Sequence, residues 1–387
     1  MTPAEADRFA TYAAAYVHIP FCSAVCPYCD FAVVAGQDHL AERYVSAVCT
    51  EIASADPWRP LDAVYFGGGT PSHIDTHLLG RVLDSLSATH GLSAAAEVSL
   101  EANPEDFSIE RATRLRELGF NRVSFGAQSF DDAVLIGLGR RHVPEDIVAS
   151  VGAARAAGFD DVSIDLIYGS TAETDESWSR SLDRAEALQP DHVSCYALTV
   201  EPGTPLGRSV QAGAEAPDPD IQADRYEAAD HAFSDIGLQR YEVSNWARPG
   251  HECRYNLTVW AQGEYEAYGN GAHGYRNGRR FRNHRRLDAY IDRIEDGGSP
   301  RAGQDRIEGW DAELDRLFVG LRRSVGVSAG PGTDTLLSSE EGRMLTAAGV
   351  IAAQDGRLLV SKPLLTDAVH RSVLALTAPN VGDDGDA

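Results

Sequence analysis

Long apolar runs are missing from this chain. No stretch approaches the ~18 apolar residues that a spanning helix needs, and the N-terminus, MTPAEADRFATYAAAYVHIPF, carries acids among its alanines where a secretory leader has a basic segment and an apolar one. Basic residues are also scarce: 34 Lys and Arg face 58 Asp and Glu, a net charge of −24. A field of that sign repels phosphate backbones and anionic lipid, which disfavours general nucleic-acid or membrane-surface binding. A cytoplasmic location is expected. Cysteine is rare, six residues in all, and in a reducing cytosol clustered thiols are more often a metal site than a disulfide framework.

What is present is ordinary globular composition arranged in a β/α rhythm. At 387 residues the chain accommodates one large domain of roughly 250 residues and a smaller one. From residue 14 to about 206, short β-rich runs (AAYVHIPF, LDAVYFGGG, AEVSLEANP, RVSFGAQS, DVSIDLIYGS, DHVSCYALTV) alternate with amphipathic stretches such as LAERYVSAVCTEIA and PEDIVASVGAARAAGF. Strand and helix in six repeats predict a parallel sheet with helices outside. Polar residues collect at the ends of the apolar runs: Gly67-Gly68-Gly69-Thr70, Glu101-Ala-Asn103-Pro104, Gln128-Ser129 and Asp165. That rim is where parallel β/α folds build their sites.

Further on, LGRSVQAGAEAPDPDIQ reads as a linker or surface loop, DRYEAADHAFSDIG as a helix and QRYEVSNWARPG as one extended segment. From GWDAELDRLFVGLRRSVGV onward, Trp310, Leu314, Leu317, Phe318 and Leu321 follow helical spacing. A helix, a hairpin turned at Asp355-Gly356 and a last helix complete a winged-helix-like α+β module. A winged helix invites a DNA reading, but in so acidic a chain a module covering the edge of the larger domain is preferred. The expected divisions are 1–206 for the core, 207–305 for a linker and barrel extension, 306–377 for the module and 378–387 for a disordered tail.

YVHIPFCSAVCPYCDF places Cys22, Cys26 and Cys29 in the first βα loop at the spacing C-x3-C-x2-C. Three thiolates on a four-iron cluster leave one iron open, and that iron can take the amino and carboxylate groups of S-adenosylmethionine (SAM), whose radical chemistry belongs to the cofactor. For SAM, Gly68 and Gly69 permit close backbone approach, Thr70 lies beside them, Glu101 suits ribose hydroxyls, and Tyr28 stands where it can stack on adenine. The plainer readings are a tight turn for the glycines and a rim hydrogen-bond network for Glu101 and Asp165. A zinc ion needs a fourth ligand, for which His18, Asp30 and the distant His142 are available; a redox dithiol leaves Cys22 without a role. Cys49 and Cys195 fall on apolar faces and read as buried filler, whereas Cys253 sits in a turn-rich stretch beside His251.

These motifs, with VYFGGGTPS, SLEANPE, RVSFGAQSF, GLGRRH, DLIYGS, YALTVEPGTPL and RYEVSNWARPG, resemble the radical SAM family of oxygen-independent coproporphyrinogen III oxidases, and within it the HemW haem-chaperone branch, from about residue 14 to 375. The resemblance implies an α/β fold, a partial (β/α)6 radical SAM barrel, with a [4Fe-4S] cluster on Cys22, Cys26 and Cys29. It implies SAM contacts from Tyr16, Gly68, Gly69, Thr70, Glu101, Gln128, Arg140 and Asp165, with Tyr28 and Ala197 matching more loosely. Some of these positions serve a second SAM in the oxidase branch.

The oxidases carry another cysteine two positions after the third ligand, where this chain has Phe31, and they have a longer N-terminal segment. The chaperone branch therefore fits better. It implies haem as cargo, client proteins such as respiratory enzymes and transient contact with the membrane, while the acidic charge speaks against a nucleic-acid partner. The branch's H-N-x-x-Y-W signature reads YNLTVW here: Tyr255 and Val259 depart, while Asn256 and Trp260 remain. Tyr255 as a phenolate, His251, Cys253 or His273 are the alternative haem ligands, against the plainer reading of a packed surface loop. GNGAHGY resembles the family's rim loop and is expected to face the same cavity. The other readings are a radical SAM enzyme abstracting hydrogen from a tetrapyrrole or another substrate, and a zinc-stabilised scaffold.

Overall fold

The computed structural model describes residues 2–378, so the expected disordered tail lies almost wholly outside the described residues. Twelve strands form one sheet: β1 (Ala14–Ile19), β2 (Leu61–Gly68), β3 (Leu92–Ala102), β4 (Arg122–Gln128), β5 (Asp161–Tyr168), β6 (His192–Ala197), β7 (Gln239–Glu242), β8 (Asn245–Ala247), β9 (Tyr265–Tyr268), β10 (His273–Arg276), β11 (Arg279–Asn283) and β12 (Arg301–Arg306). Across the sheet they run β12-β11-β10-β9-β1-β2-β3-β4-β5-β6-β8-β7. The six strands expected from sequence, β1 to β6, are consecutive neighbours and all parallel.

Helices Ala41–Ala53, Thr76–Thr89, Ile109–Glu117, Pro144–Ala156 and Asp175–Ala187 lie between successive parallel strands, and a short Asp132–Gly137 helix precedes Pro144–Ala156 in the fourth connection. Helix starts are set locally: Asp75 accepts from the His77 amide at 2.9 Å and Ser108 from the Arg111 amide at 3.3 Å. The first helix buries Tyr44, Val45, Val48 and Ile52 on the stripe that faces the sheet.

Alternation along the strands then separates two environments. Val17, Phe66, Leu100, Val123, Ile164 and Val193 point outward into a single core shared with the helices. Their neighbours Tyr16, Tyr65, Glu101, Ser124, Asp165 and Ser194 point the other way, into a cavity. Parallel strands usually read as continuous apolar runs because both faces are packed; here the inner face stays polar because it lines a chamber. Cys195 is buried in the outer core, while Cys49 is only partly buried, its thiol 3.7 Å from the Arg81 carbonyl.

Two expectations need correction. The stretch read as a linker begins with a helix, Pro205–Gln211, because Thr204 caps it and Pro205 fits the first turn. QRYEVSNWARPG is two antiparallel strands, β7 and β8, with a register shift between Asn245 and Trp246. The segment 239–306 extends the parallel core at both edges: β8 and β7 finish one edge of the sheet, and β9, parallel to β1, leads the antiparallel β10 to β12 at the other.

The C-terminal residues form helices Gly309–Gly320, Pro331–Ser338, Glu340–Ala347 and Thr366–Leu374 with a three-stranded sheet. Leu317, Leu321, Leu336, Ile351, Leu358 and Val369 make its own core, and Asp355 and Gly356 turn its hairpin at φ of 52° and 71°. The module covers edge strand β7, the Ser324 amide donating to the Tyr241 carbonyl at 3.0 Å. Arg357 and Arg323 both reach the Asp7 carboxylate, at 2.6 and 3.1 Å.

Candidate functional site

The chain leaves β1 into the cysteine loop and is pinned at once. Phe21–Cys22 pairs in parallel with Val34–Ala35, the Val34 amide donates to the Pro20 carbonyl at 2.8 Å, and the Cys29 amide closes a turn on the Cys26 carbonyl at 3.1 Å. Beneath the loop stands His18. Burial holds its pKa down to about 4, so the ring is neutral. Nε2–H donates to the Ala32 carbonyl and Nδ1 accepts from the Tyr16 hydroxyl, each at 3.0 Å. His142 likewise lies 2.9 Å from the Ala127 carbonyl through Nε2. Both histidines weighed as zinc ligands are therefore engaged in propping backbone, and Asp30 is exposed.

The glycine run at the end of β2 has a steric purpose. Gly68 sits at φ 109°, and a Cβ there would overlap the His18 ring; at Gly69 a Cβ would come within 2.8 Å of the Ile19 carbonyl and the Pro20 backbone. The absent side chains let the Gly69 amide donate to Ile19 and the Thr70 amide to Phe21, at 2.8 and 2.9 Å. Glu101 accepts from the Gly68 amide at 3.1 Å and from the Tyr65 hydroxyl at 2.9 Å. Burial, with the nearby Asp165 charge, raises its pKa to about 7. Asp165 accepts from Ser124 at 2.8 Å and is also raised by burial. Gln128 adopts φ 63° at a register shift between β4 and β5, a strained position of the kind that gathers at functional sites.

Arg140 ties the rim together. Its Nη2 donates to the Asn103 amide oxygen at 2.6 Å and the Gly126 carbonyl at 2.9 Å, its Nη1 lies 3.6 Å from the Cys26 sulfur, and its buried Nε has no partner. Asn103 in turn donates to Thr70, whose hydroxyl lies 3.6 Å from the Cys22 sulfur. Burial pushes the Cys22 thiol up to about 11 and raises Cys29 as well. Tyr28 packs against Val134, Leu138, Ile167 and Leu198 beside the loop.

The three cysteines expected to hold the cluster and the nine residues expected to meet SAM, together with Ala197, line one cavity of about 560 Å3. Asn103, Tyr65, Ser124 and Arg122 also line it; alternation within the strands would have placed the last three on the cavity face. The floor comes from Arg254–Trp260, which is a helix and not a surface loop. Its start is fixed by the Arg254 amide on Glu97 at 2.9 Å and by Arg122 on the His251 carbonyl at 2.9 Å. Tyr255 rises from this helix to stack on Tyr65 and Tyr16, centroids 5.2 and 5.9 Å apart. Cys253 and Asn256 share the floor, whereas His251 pairs with Asp161 outside it and His273 is exposed on β10. The GNGAHGY loop does not face this cavity; Asn270 lines a neighbouring groove.

The donor set fits a cluster better than a lone ion. Three sulfurs share a wall with one guanidinium beside them, while among the described residues no three His, Cys, Asp or Glu side chains converge as ligands of one metal ion. Residues 16–185 match the family model of the radical SAM superfamily. The chain is 39% identical over 375 residues to the heme chaperone HemW of Mycobacterium tuberculosis, covering 93% of this chain and 94% of that protein. It is 35% identical to the heme chaperone HemW of Bacillus subtilis, over 81% and 84%. Among solved structures it superposes on the coproporphyrinogen III oxidase HemN of Escherichia coli with a TM-score of 0.81 at 23% identity, covering 95% and 92%, a likeness of fold. With this fold, this cavity and relatives so similar over nearly their whole length, the chain belongs to the radical SAM superfamily and, within it, to the HemW family.

Proposed function

We propose that this chain holds a [4Fe-4S] cluster on Cys22, Cys26 and Cys29, binds SAM in the adjoining cavity, and carries haem to client proteins, respiratory enzymes among them, from the cytoplasm with transient approach to the membrane. The observation that carries the cofactor reading is the meeting of three cysteines, a glycine-rich strand end and two buried carboxylates on one cavity wall. The haem reading is supported by family membership. Among the described residues no helix is long and apolar enough to cross a membrane.

Cys22, Cys26 and Cys29 would hold the cluster, and the chemistry it would supply there is one-electron reduction of the SAM sulfonium. The protein's own part is positional. The raised Cys22 thiol must lose its proton to become a ligand, so loading releases protons. Arg140, beside Cys26, offsets the negative charge of the thiolates. Glu101 keeps one donor on each oxygen and retains lone pairs for ribose hydroxyls. Gly68, Gly69 and Thr70 offer the methionyl part a wall without side-chain bulk, Gln128, Asp165 and Arg140 border the nucleoside, and Tyr16 and Tyr28 flank it with aromatic faces.

Glu101 gives this binding a pH signature. Its ionised form is the better acceptor and its pKa is raised to about 7, so SAM affinity falls as pH drops below 7. Calorimetric titration is expected to show about a tenfold loss of affinity between pH 8 and pH 6, most of it below the pKa, and Glu101→Gln is expected to flatten the profile at the weak limit. A wild-type profile that stays flat removes Glu101 from SAM binding.

The haem reading is tested by anaerobic reconstitution, iron and sulfide analysis, and optical titration with haem, which is expected to saturate stoichiometrically. Absence of saturation overturns it. The depth of the cavity, which passes Glu101 to reach Arg122 and His192, favours a second reading, hydrogen abstraction from a tetrapyrrole or another substrate. Chromatography for 5'-deoxyadenosine after incubation with SAM and a strong reductant, with and without coproporphyrinogen III, separates the two.

A further inference from the structure

A second groove, of about 440 Å3, opens beside the cysteine loop and shares Phe31 and Val33 with the mouth of the large cavity. Its volume is in the range of small-molecule sites. Leu287, 5% exposed, forms an apolar base, and Phe31 stands 65% exposed next to the cluster loop. With the half-buried Val33 and Val34 of the same lining it makes a contiguous apolar strip, and a strip of that kind marks a surface that gains by being covered.

The charge beside it is of the opposite sign to the rest of the molecule. Residues 273–286, HGYRNGRRFRNHRR, contain six arginines and no acid in a chain of net charge −24. Arg285 and Arg286 from this run line the groove and are exposed. Arg285 donates to the Asp30 carbonyl, and Arg286 pairs with Asp288, the one acidic residue of the lining. The Arg286–Asp288 fork is exposed to water at both ends, so Arg286 can exchange Asp288 for a stronger anion, and Arg285, held to Asp30 through one N–H, keeps its other donors for the same anion.

We propose that this groove is the haem seat: the macrocycle lies on Phe31, Val33, Val34 and Leu287, and its two propionates pair with Arg285 and Arg286. The placement rests on the haem-carrier reading and gives the cargo a location that the signature helix does not. Tyr255, which stands where that signature has its histidine, is stacked on Tyr16 and Tyr65 at the floor of the nucleotide cavity, so a haem reaching it displaces SAM. The groove is shallow, which leaves one edge of the macrocycle open to a receiving protein. Its lining holds no His, Cys, Met or Tyr, so binding proceeds without an axial ligand from the groove, and the iron is dispensable for it.

The test compares haem, by absorbance, with metal-free protoporphyrin IX, by fluorescence, on cluster-loaded protein. The two tetrapyrroles are expected to bind within about threefold of each other, near the limit of what one missing weak contact changes. The double variant Arg285→Glu/Arg286→Glu, and the milder Arg286→Glu, which spares the Arg285 contact to the loop, are expected to weaken both by about tenfold or more, as expected for reversing charge against a propionate. Porphyrin dimethyl ester is expected to lose that sensitivity. If wild-type protein binds haem but the reversals leave affinity unchanged, or Tyr255→Phe alone abolishes binding, the seat lies elsewhere. If wild-type protein binds no tetrapyrrole, the haem-carrier reading itself falls.

Discussion

Serine in place of Cys22, Cys26 or Cys29 is expected to leave the protein colourless after anaerobic reconstitution, with iron and sulfide reduced to background. Serine keeps the shape but offers no thiolate at neutral pH. The loop cannot compensate by sliding, because the Phe21–Cys22 pairing, the His18 contact to Ala32 and the amide of Val34 hold it on both sides. Nor is there a spare thiol within reach: Cys49 and Cys195 lie on the outer side of the sheet and Cys253 at the far floor of the cavity. Circular dichroism is expected to change little, since backbone bonds, not sulfur, define the loop. An intact cluster spectrum in any of the three variants would place the iron elsewhere.

Gly68→Ala is expected to cost about 2–5 kcal/mol, combining a left-handed backbone penalty with overpacking against a fixed ring. The clash falls on His18, whose displacement leaves the Ala32 carbonyl with the Asn270 amide alone, at 3.2 Å, and frees the Tyr16 hydroxyl. Cluster loading should therefore fall along with stability. Gly36→Ala is the control that separates the two causes: it too has positive φ, 70°, but a Cβ there meets nothing within 4 Å, so about 1–2 kcal/mol is expected from the backbone alone. Urea unfolding of the apo-proteins checks the pair, and equal losses would show that the His18 contact carries no weight.

The sequence made the parallel core and its rim readable because each signal is local. Apolar runs of strand length, glycines at their ends and three closely spaced cysteines need only a few residues of context. The segments whose structure departs from the sequence expectation depend on partners far away. The helix Arg254–Trp260 starts on Glu97 and rests under β1 and β2, contacts separated by more than 150 residues, and its seven residues carry no capping side chain. Strands β7 to β12 are short, three to six residues, and their alternation is too brief to declare a face. Pro205–Gln211 was hidden by the glycine, alanine and proline that follow it, although Thr204-Pro205 is a helix-start signal in its own right. Asn103 was visible as a polar rim residue, but its place between Thr70 and Arg140 emerges only when three strands are brought side by side.

The pairing of β1 with β9 has a consequence for the order of events on the ribosome. Ala14 finds its partner Tyr265 only about 250 residues later, which at bacterial-like elongation rates is roughly 10–50 s. During that interval the strand that bears the cysteine loop has one raw border, open to stray pairing with other nascent chains. Iron delivered before Tyr265 emerges would meet a half-built scaffold; delivery after release meets a finished one.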